Sequence, residues 1–223
     1  MKTKGLFVSM LALILLTVVS VGCGTATQAT PAPSVENAEP AATQVDSPVT
    51  LTDISGARIS LDDLPEGFEE IDMQGVLQAQ AETGDAENMP DVAFAFINKA
   101  NFQVITGMNY LLVDAVDRIG FGAAFRDSKE SLQDFAGALG GTNVREVKTL
   151  YSLKSLGDKR EAITMLSDVE GVPMRVDAVM FQRGDVGSIL ITMKVDGEPG
   201  GVSIQNLGSM LDQYIQESLG TSE

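Results

Sequence analysis

Three turn dipeptides decide what the C-terminal half of this chain can fold into. Glu170-Gly171, Gly184-Asp185 and Asp196-Gly197 each border a run rich in apolar and β-branched residues. Glycine reaches positive φ without steric cost, and an aspartate side chain bonds its own backbone, so these pairs make tight turns. Two-residue connections join strands only in antiparallel fashion. The runs they separate cover 144–150, 161–167, 174–181 and 187–195. In the last of these, Ile189, Ile191, Met193 and Val195 fall on one face and Ser188, Thr192 and Lys194 on the other, the period of a half-buried strand. A further strand pair is expected over 92–113, where Ala93-Phe94-Ala95-Phe96-Ile97 and Phe102-Gln103-Val104-Ile105-Thr106 flank Asn98-Lys99-Ala100-Asn101.

Helical periodicity is strongest at the C-terminal end. A helix beginning near Ser203 carries the stripe Leu207, Met210, Leu211, Tyr214, Ile215 and Leu219. Another is expected after the capping box Asp127-Ser128-Lys129-Glu130, with Leu132, Phe135, Ala136 and Leu139 on one side and Gly140-Gly141 as the stop. Residues 73–81 fit a short helix. Residues 111–125 have helical spacing at Leu112, Ala115, Val116 and Ile119, interrupted by Gly120 and Gly122. Short strands are expected over 50–61 around Ser55-Gly56-Ala57. The expected fold class is α+β, an antiparallel β-sheet meander covered by helices on one or both faces.

The N-terminal segment has a different logic. Lys2 and Lys4 precede an apolar run over 6–21 that ends in small residues, the layout of a secretory signal peptide. The run is shorter than the roughly 20 residues a spanning helix uses. Val21-Gly22-Cys23 resembles the lipobox of bacterial lipoproteins, with Ser20 standing where leucine is usual. That resemblance implies cleavage before Cys23 and acylation of its sulfur. It also implies residence in the cell envelope, on the outer face of the cytoplasmic membrane or on an outer membrane if the host has one. Each buried CH₂ of such a lipid contributes about 0.8 kcal/mol of membrane affinity. The expected organisation is a signal peptide over 1–22, a lipidated cysteine and tether over 23–48, and a single domain over 49–223. The tether is rich in Thr, Ala and Pro and has no aromatic residue or apolar period, so it cannot bury enough surface to fold.

Composition narrows the chemistry. The net charge of −16 repels nucleic acid and anionic headgroups, so neither is expected as a partner, and the membrane is met through the lipid on Cys23. There is no histidine, which removes imidazole bases and histidine metal sites. Cys23 is the one cysteine, so its acylation leaves no thiol. No Gly-x-Ser-x-Gly elbow, Ser-x-x-Lys pair or Gly-Lys of a phosphate loop is present, and Gly120-Phe121-Gly122 lacks the rest of a dinucleotide fingerprint. No cofactor and no catalytic residue is expected.

Three residue sets retain a chemical reading. Asp62, Asp63, Glu66, Glu69, Glu70 and Asp72 could hold a hard cation, but they lack the alternating acid spacing of a calcium loop and read as a solvated acidic rim. Asp114 and Asp117 could face each other on a helix, although a hydrolytic carboxylate pair needs an apolar cleft. Met165, Met174, Met180 and Met193 offer thioethers suited to copper(I), but each lies in an apolar strand pattern and reads as core filling.

Several pieces of the domain resemble bacterial lipoproteins with a PsbP-like (LpqN-type) domain. They are Leu64-Pro65-Glu66-Gly67-Phe68-Glu69-Glu70, Phe94-Ala95-Phe96-Ile97-Asn98, Gly157-Asp158, Glu170-Gly171-Val172-Pro173-Met174-Arg175 and Phe181-Gln182-Arg183-Gly184-Asp185-Val186-Gly187. The resemblance implies an αβα sandwich around an antiparallel sheet and a non-enzymatic assembly, stability or carrier role, with no functional residue to carry over. The expected function is therefore a membrane-anchored extracytoplasmic binding or assembly factor with a protein partner. The alternatives are a carrier of a small apolar ligand or lipid, and a carboxylate-based hydrolase.

Overall fold

A computed structural model describes residues 53–73, 75, 77, 89–126, 130, 142–153 and 155–220. Seven strands form one sheet: β1 (Phe68–Ile71), β2 (Val92–Asn98), β3 (Gln103–Leu111), β4 (Thr142–Thr149), β5 (Lys159–Val169), β6 (Val172–Arg183) and β7 (Val186–Val195). The order across the sheet is β1-β2-β3-β7-β6-β5-β4, and every pair is antiparallel. Two hairpin runs, β1 to β3 and β4 to β7, therefore meet at β3–β7. Helix α1 (Ala115–Arg126) lies on the path from β3 to the far edge strand β4. Helix α2 (Ile204–Ser218) follows β7.

The turn chemistry explains the long strands. Val169 pairs with Val172 across Glu170-Gly171, both at positive φ (50° and 81°), the conformation of a type I′ hairpin. Arg183 pairs with Val186 across Gly184-Asp185, with Gly184 at φ 55°. Once these registers are set, the period-2 pattern runs to the full 10 to 12 residues of β5, β6 and β7.

Alternation gives the sheet two apolar faces. On one, Phe94, Phe96, Ile105, Val179, Phe181 and Leu190 pack against Ile204, Leu207, Leu211 and Ile215 of α2. On the other, Ile163, Met165, Val176, Ala178 and Ile191 form one cluster, and Leu112, Phe121 and Met180 form a second beside α1. Each face has an aromatic ring lying over a glycine in a neighbouring element. A Cβ on Gly107 would lie 2.0 Å from the Phe94 ring, and one on Gly187 would lie 2.6 Å from Phe121. Glycine in a strand interior is normally unfavourable, but here each ring takes the volume a side chain would have filled.

The expectation of a sheet covered by helices, and of an αβα sandwich, does not hold. Among the described residues the helices with defined ends are α1 and α2, of 12 and 15 residues, beside seven strands. Much of the α2 face is covered by non-helical chain: Ile54, Ala57, Ile59 and Leu64 from one segment, Leu153 and Leu156 from another. These segments are short turns and 3₁₀ turns, Leu61–Asp63 and Tyr151–Leu153, so their apolar residues have no sustained period. The antiparallel meander itself agrees with the sheet, whose two runs of sequential neighbours, β1 to β3 and β4 to β7, join at β3–β7. No strand forms over residues 53–61, where Ser55-Gly56 is a turn. The helix expected over 130–139 lies outside the described residues apart from Glu130. Of the 73–81 helix, Met73, Gly75 and Leu77 are described and have helical backbone.

Candidate functional site

Cys23 and the whole of 1–48 lie outside the described residues. The acidic run over 62–72 disperses once folded. Asp63 accepts from the Ser60 backbone and hydroxyl at 2.8 Å each and from the Tyr214 hydroxyl at 2.6 Å, fixing the N-terminal segment to α2. Burial opposes the charged form of Asp63, but these donors outweigh it and hold the carboxyl below its ordinary range. The same bond is the main reason that Tyr214 is pushed up to about 12. Glu69 pairs with Lys99 and Glu70 with Arg58, on opposite faces of β1. Asp72 accepts from the Gly75 backbone. No three acidic groups converge as metal ligands among the described residues.

Asp114 and Asp117 are a capping box at the start of α1. Asp114 Oδ1 accepts from the Asp117 backbone at 3.0 Å, and Asp117 Oδ2 accepts from the Asp114 backbone at 3.3 Å. Both are exposed, so they do not form a cleft acid pair. Gly120 and Gly122 lie inside α1 with open space around them. Met165, Met174 and Met180 are buried and Met193 is half-buried, all on the face opposite α2. Ser167 lies directly across from Met174, and its buried hydroxyl has no hydrogen-bond partner among the described residues.

The one buried ionisable group among the described residues is Asp212, on α2. Arg183 at the end of β6 grips it with both prongs, Nε to Oδ1 at 2.8 Å and Nη2 to Oδ2 at 2.6 Å. The Gly157 backbone donates to Oδ2 at 3.3 Å. Arg183 Nη1 continues to Asp158 Oδ1 at 3.0 Å. Bonding to Asp212 raises the Arg183 pKa further, which keeps it charged. The arrangement is a fork closed on a carboxylate. It locks α2 to the sheet and presents no free proton acceptor to a substrate.

The rim at the other end of the sheet carries two exposed apolar side chains on a braced frame. Three connections meet there and brace one another. The β2–β3 loop is held by Asn98, whose side chain accepts from the Ala100 backbone at 3.0 Å. Gln103 and Val202 exchange two bonds, Nε2 to O at 2.6 Å and N to Oε1 at 2.9 Å, which ties that loop to the start of α2. Asp196 donates through its backbone to the Pro173 carbonyl at 2.8 Å and pairs with Arg175 at 2.8 Å, joining the same connection to β6. On this braced frame Phe102 is 52 % exposed and Val172 39 %. Phe102 has φ 51°, a left-handed conformation that glycine takes freely and an aromatic residue rarely does. Residue 102 was expected in a strand; the Asn98↔Gln103 register instead makes it the last residue of the turn.

The rim lies opposite the point where the described chain begins. Ala57 accepts a bond from the buried Asn109 side chain, near the far end of β3, and Gly56 lies beside Ser218 in the last turn of α2. Helix α2 starts at the rim, so its 15 residues separate the two ends by about 22 Å. Comparison with protein-family models and with characterised proteins finds no match to this chain.

Proposed function

We propose that this chain is a lipid-anchored extracytoplasmic binding or assembly factor that docks a protein partner on the rim around Phe102 and Val172. The observation that carries the reading is Phe102, an exposed aromatic side chain held in a left-handed backbone on a braced frame. Such a conformation costs about 1–2 kcal/mol, and strain of this kind concentrates at functional positions. The placement of the rim agrees with an anchor at Cys23, because the tether joins the domain at the opposite end.

The test is Phe102→Gly in the full chain, expressed in its host and probed by cross-linking in intact cells. Glycine suits the left-handed position, so the variant is expected to be as stable as the parent or more so by up to about 1 kcal/mol. Loss of an aromatic at the centre of an interface costs about 2 kcal/mol, or roughly 30-fold in affinity. A stable variant that loses its cross-linked partner supports the reading. Undiminished cross-linking to the same partner refutes it. Mass spectrometry of membrane-extracted protein tests the anchor separately: an unmodified Cys23 removes it.

A further inference from the structure

Resting on that docking reading, we infer that the partner presents lysine or arginine side chains around an apolar residue. Along the rim the strand order alternates acidic and apolar residues: Glu66 before β1, Phe102 between β2 and β3, Glu198 after β7, then Val172 and Glu170 at the β5–β6 turn. Glu170 adjoins Val172 in the β5–β6 turn, and Glu198 lies in the β7–α2 connection. Glu66 precedes Gly67, which packs against the Asn98 side chain of the β2–β3 loop. All three carboxylates are exposed, and none takes part in an ion pair among the described residues. The rim's cations, by contrast, are mostly spent internally: Lys99 on Glu69, Arg175 on Asp196, and Arg145 on Asp168. Among the described residues Lys194, half-buried on β7, has no ion pair.

A chain of net charge −16 repels acidic partners at long range, and the three unpaired carboxylates carry that preference to the contact itself. An apolar partner without charge would cover them without supplying a counter-charge. A basic partner with one apolar side chain meets both kinds of group.

The probes are three synthetic peptides of equal length on the full chain: one with lysines flanking a phenylalanine, one with glutamates in place of the lysines, and one with serines. Hydrogen exchange reads where each binds. The lysine peptide is expected to protect 99–102, 170–172 and 196–201, and to bind more weakly as salt shortens the screening length. The double variant Glu170→Lys with Glu198→Lys is expected to weaken it roughly tenfold, since two attractions become repulsions. Glu217→Lys, on α2 at the other end, is the control and is expected to leave it unchanged. Equal binding of the lysine and glutamate peptides overturns the inference, as does an equal loss with Glu217→Lys. Rim protection by the serine peptide alone also overturns it, while leaving the docking reading standing. Failure of all three peptides to protect the rim overturns the inference, and the Phe102→Gly cross-linking result then judges the docking reading by itself.

Discussion

The Asp212–Arg183 pair predicts an unequal response to losing either partner. Asp212 has a side chain only 7 % exposed, whereas Arg183 is 24 % exposed. Arg183→Met keeps the apolar stem and removes the guanidinium. It leaves a buried carboxylate with the Gly157 backbone N–H at 3.3 Å and the Gln216 amide at 3.4 Å as donors. Removing one side of a buried pair costs about 3–5 kcal/mol. The two residual donors are long, so the lower end, about 3 kcal/mol, is expected. Asp212→Leu leaves a guanidinium that still bonds Asp158 and reaches water, so its cost should be nearer 1 kcal/mol. The double variant replaces the pair with apolar groups of similar size and should cost less than Arg183→Met alone. Urea unfolding at neutral pH and constant salt measures all three, with unchanged slopes showing that the comparison is valid. Equal costs for the two single variants, or a double variant as unstable as their sum, would refute the claim that an unpaired buried carboxylate dominates.

Two further outcomes follow from the core and from the hydroxyl groups. Gly107→Ala places a methyl 2.0 Å from the ring of Phe94, itself 1 % exposed, so it should cost about 1–3 kcal/mol or more by thermal unfolding; Phe94→Leu in the same chain should recover part of that loss. Burial, with a lesser contribution from Asp91, pushes Tyr110 up to about 12, and its bond to Asp63 does the same for Tyr214. Because both folded values lie above the ordinary 10.0, the stability they contribute is complete below that pH and is lost as pH rises toward 12. Asp63 acts at the other extreme: its carboxyl is held low, so its contribution is present above 3.8 and is lost as pH falls through the folded value. Ultraviolet titration of tyrosinate alongside thermal unfolding checks both ends, and Tyr214→Phe should remove one alkaline step and weaken the acid one.

The strands and their turns were readable because both signals are local. Period-2 alternation in 187–195 and the Glu170-Gly171, Gly184-Asp185 and Asp196-Gly197 pairs fall where β7 and its neighbours begin and end. Ser203 caps α2 as its position implied, accepting from the Asn206 backbone. The cover of the sheet was not readable, because Ile54, Ile59, Leu153 and Leu156 come from turns with no period to detect. Asp212 did leave a trace. It lies between Gly208 and Ile215 on the side of α2 that buries Leu211, where a charge needs a partner, but nothing local names Arg183 as that partner 29 residues earlier.

Phe102 shows where local reasoning gives way to register. An aromatic residue beside Gln103 and Val104 has strand propensity, and taken alone it belongs in β3. The pairing of Asn98 with Gln103 leaves four residues to turn the chain, and the last of them must be left-handed. Asn98 fixes one side of that loop and the Gln103–Val202 exchange fixes the other, so the backbone is determined whether or not residue 102 suits it. Glycine reaches this conformation at lower cost, and about half of Phe102 stays exposed, so the Phe102→Gly comparison separates the proposed docking role from a folding one.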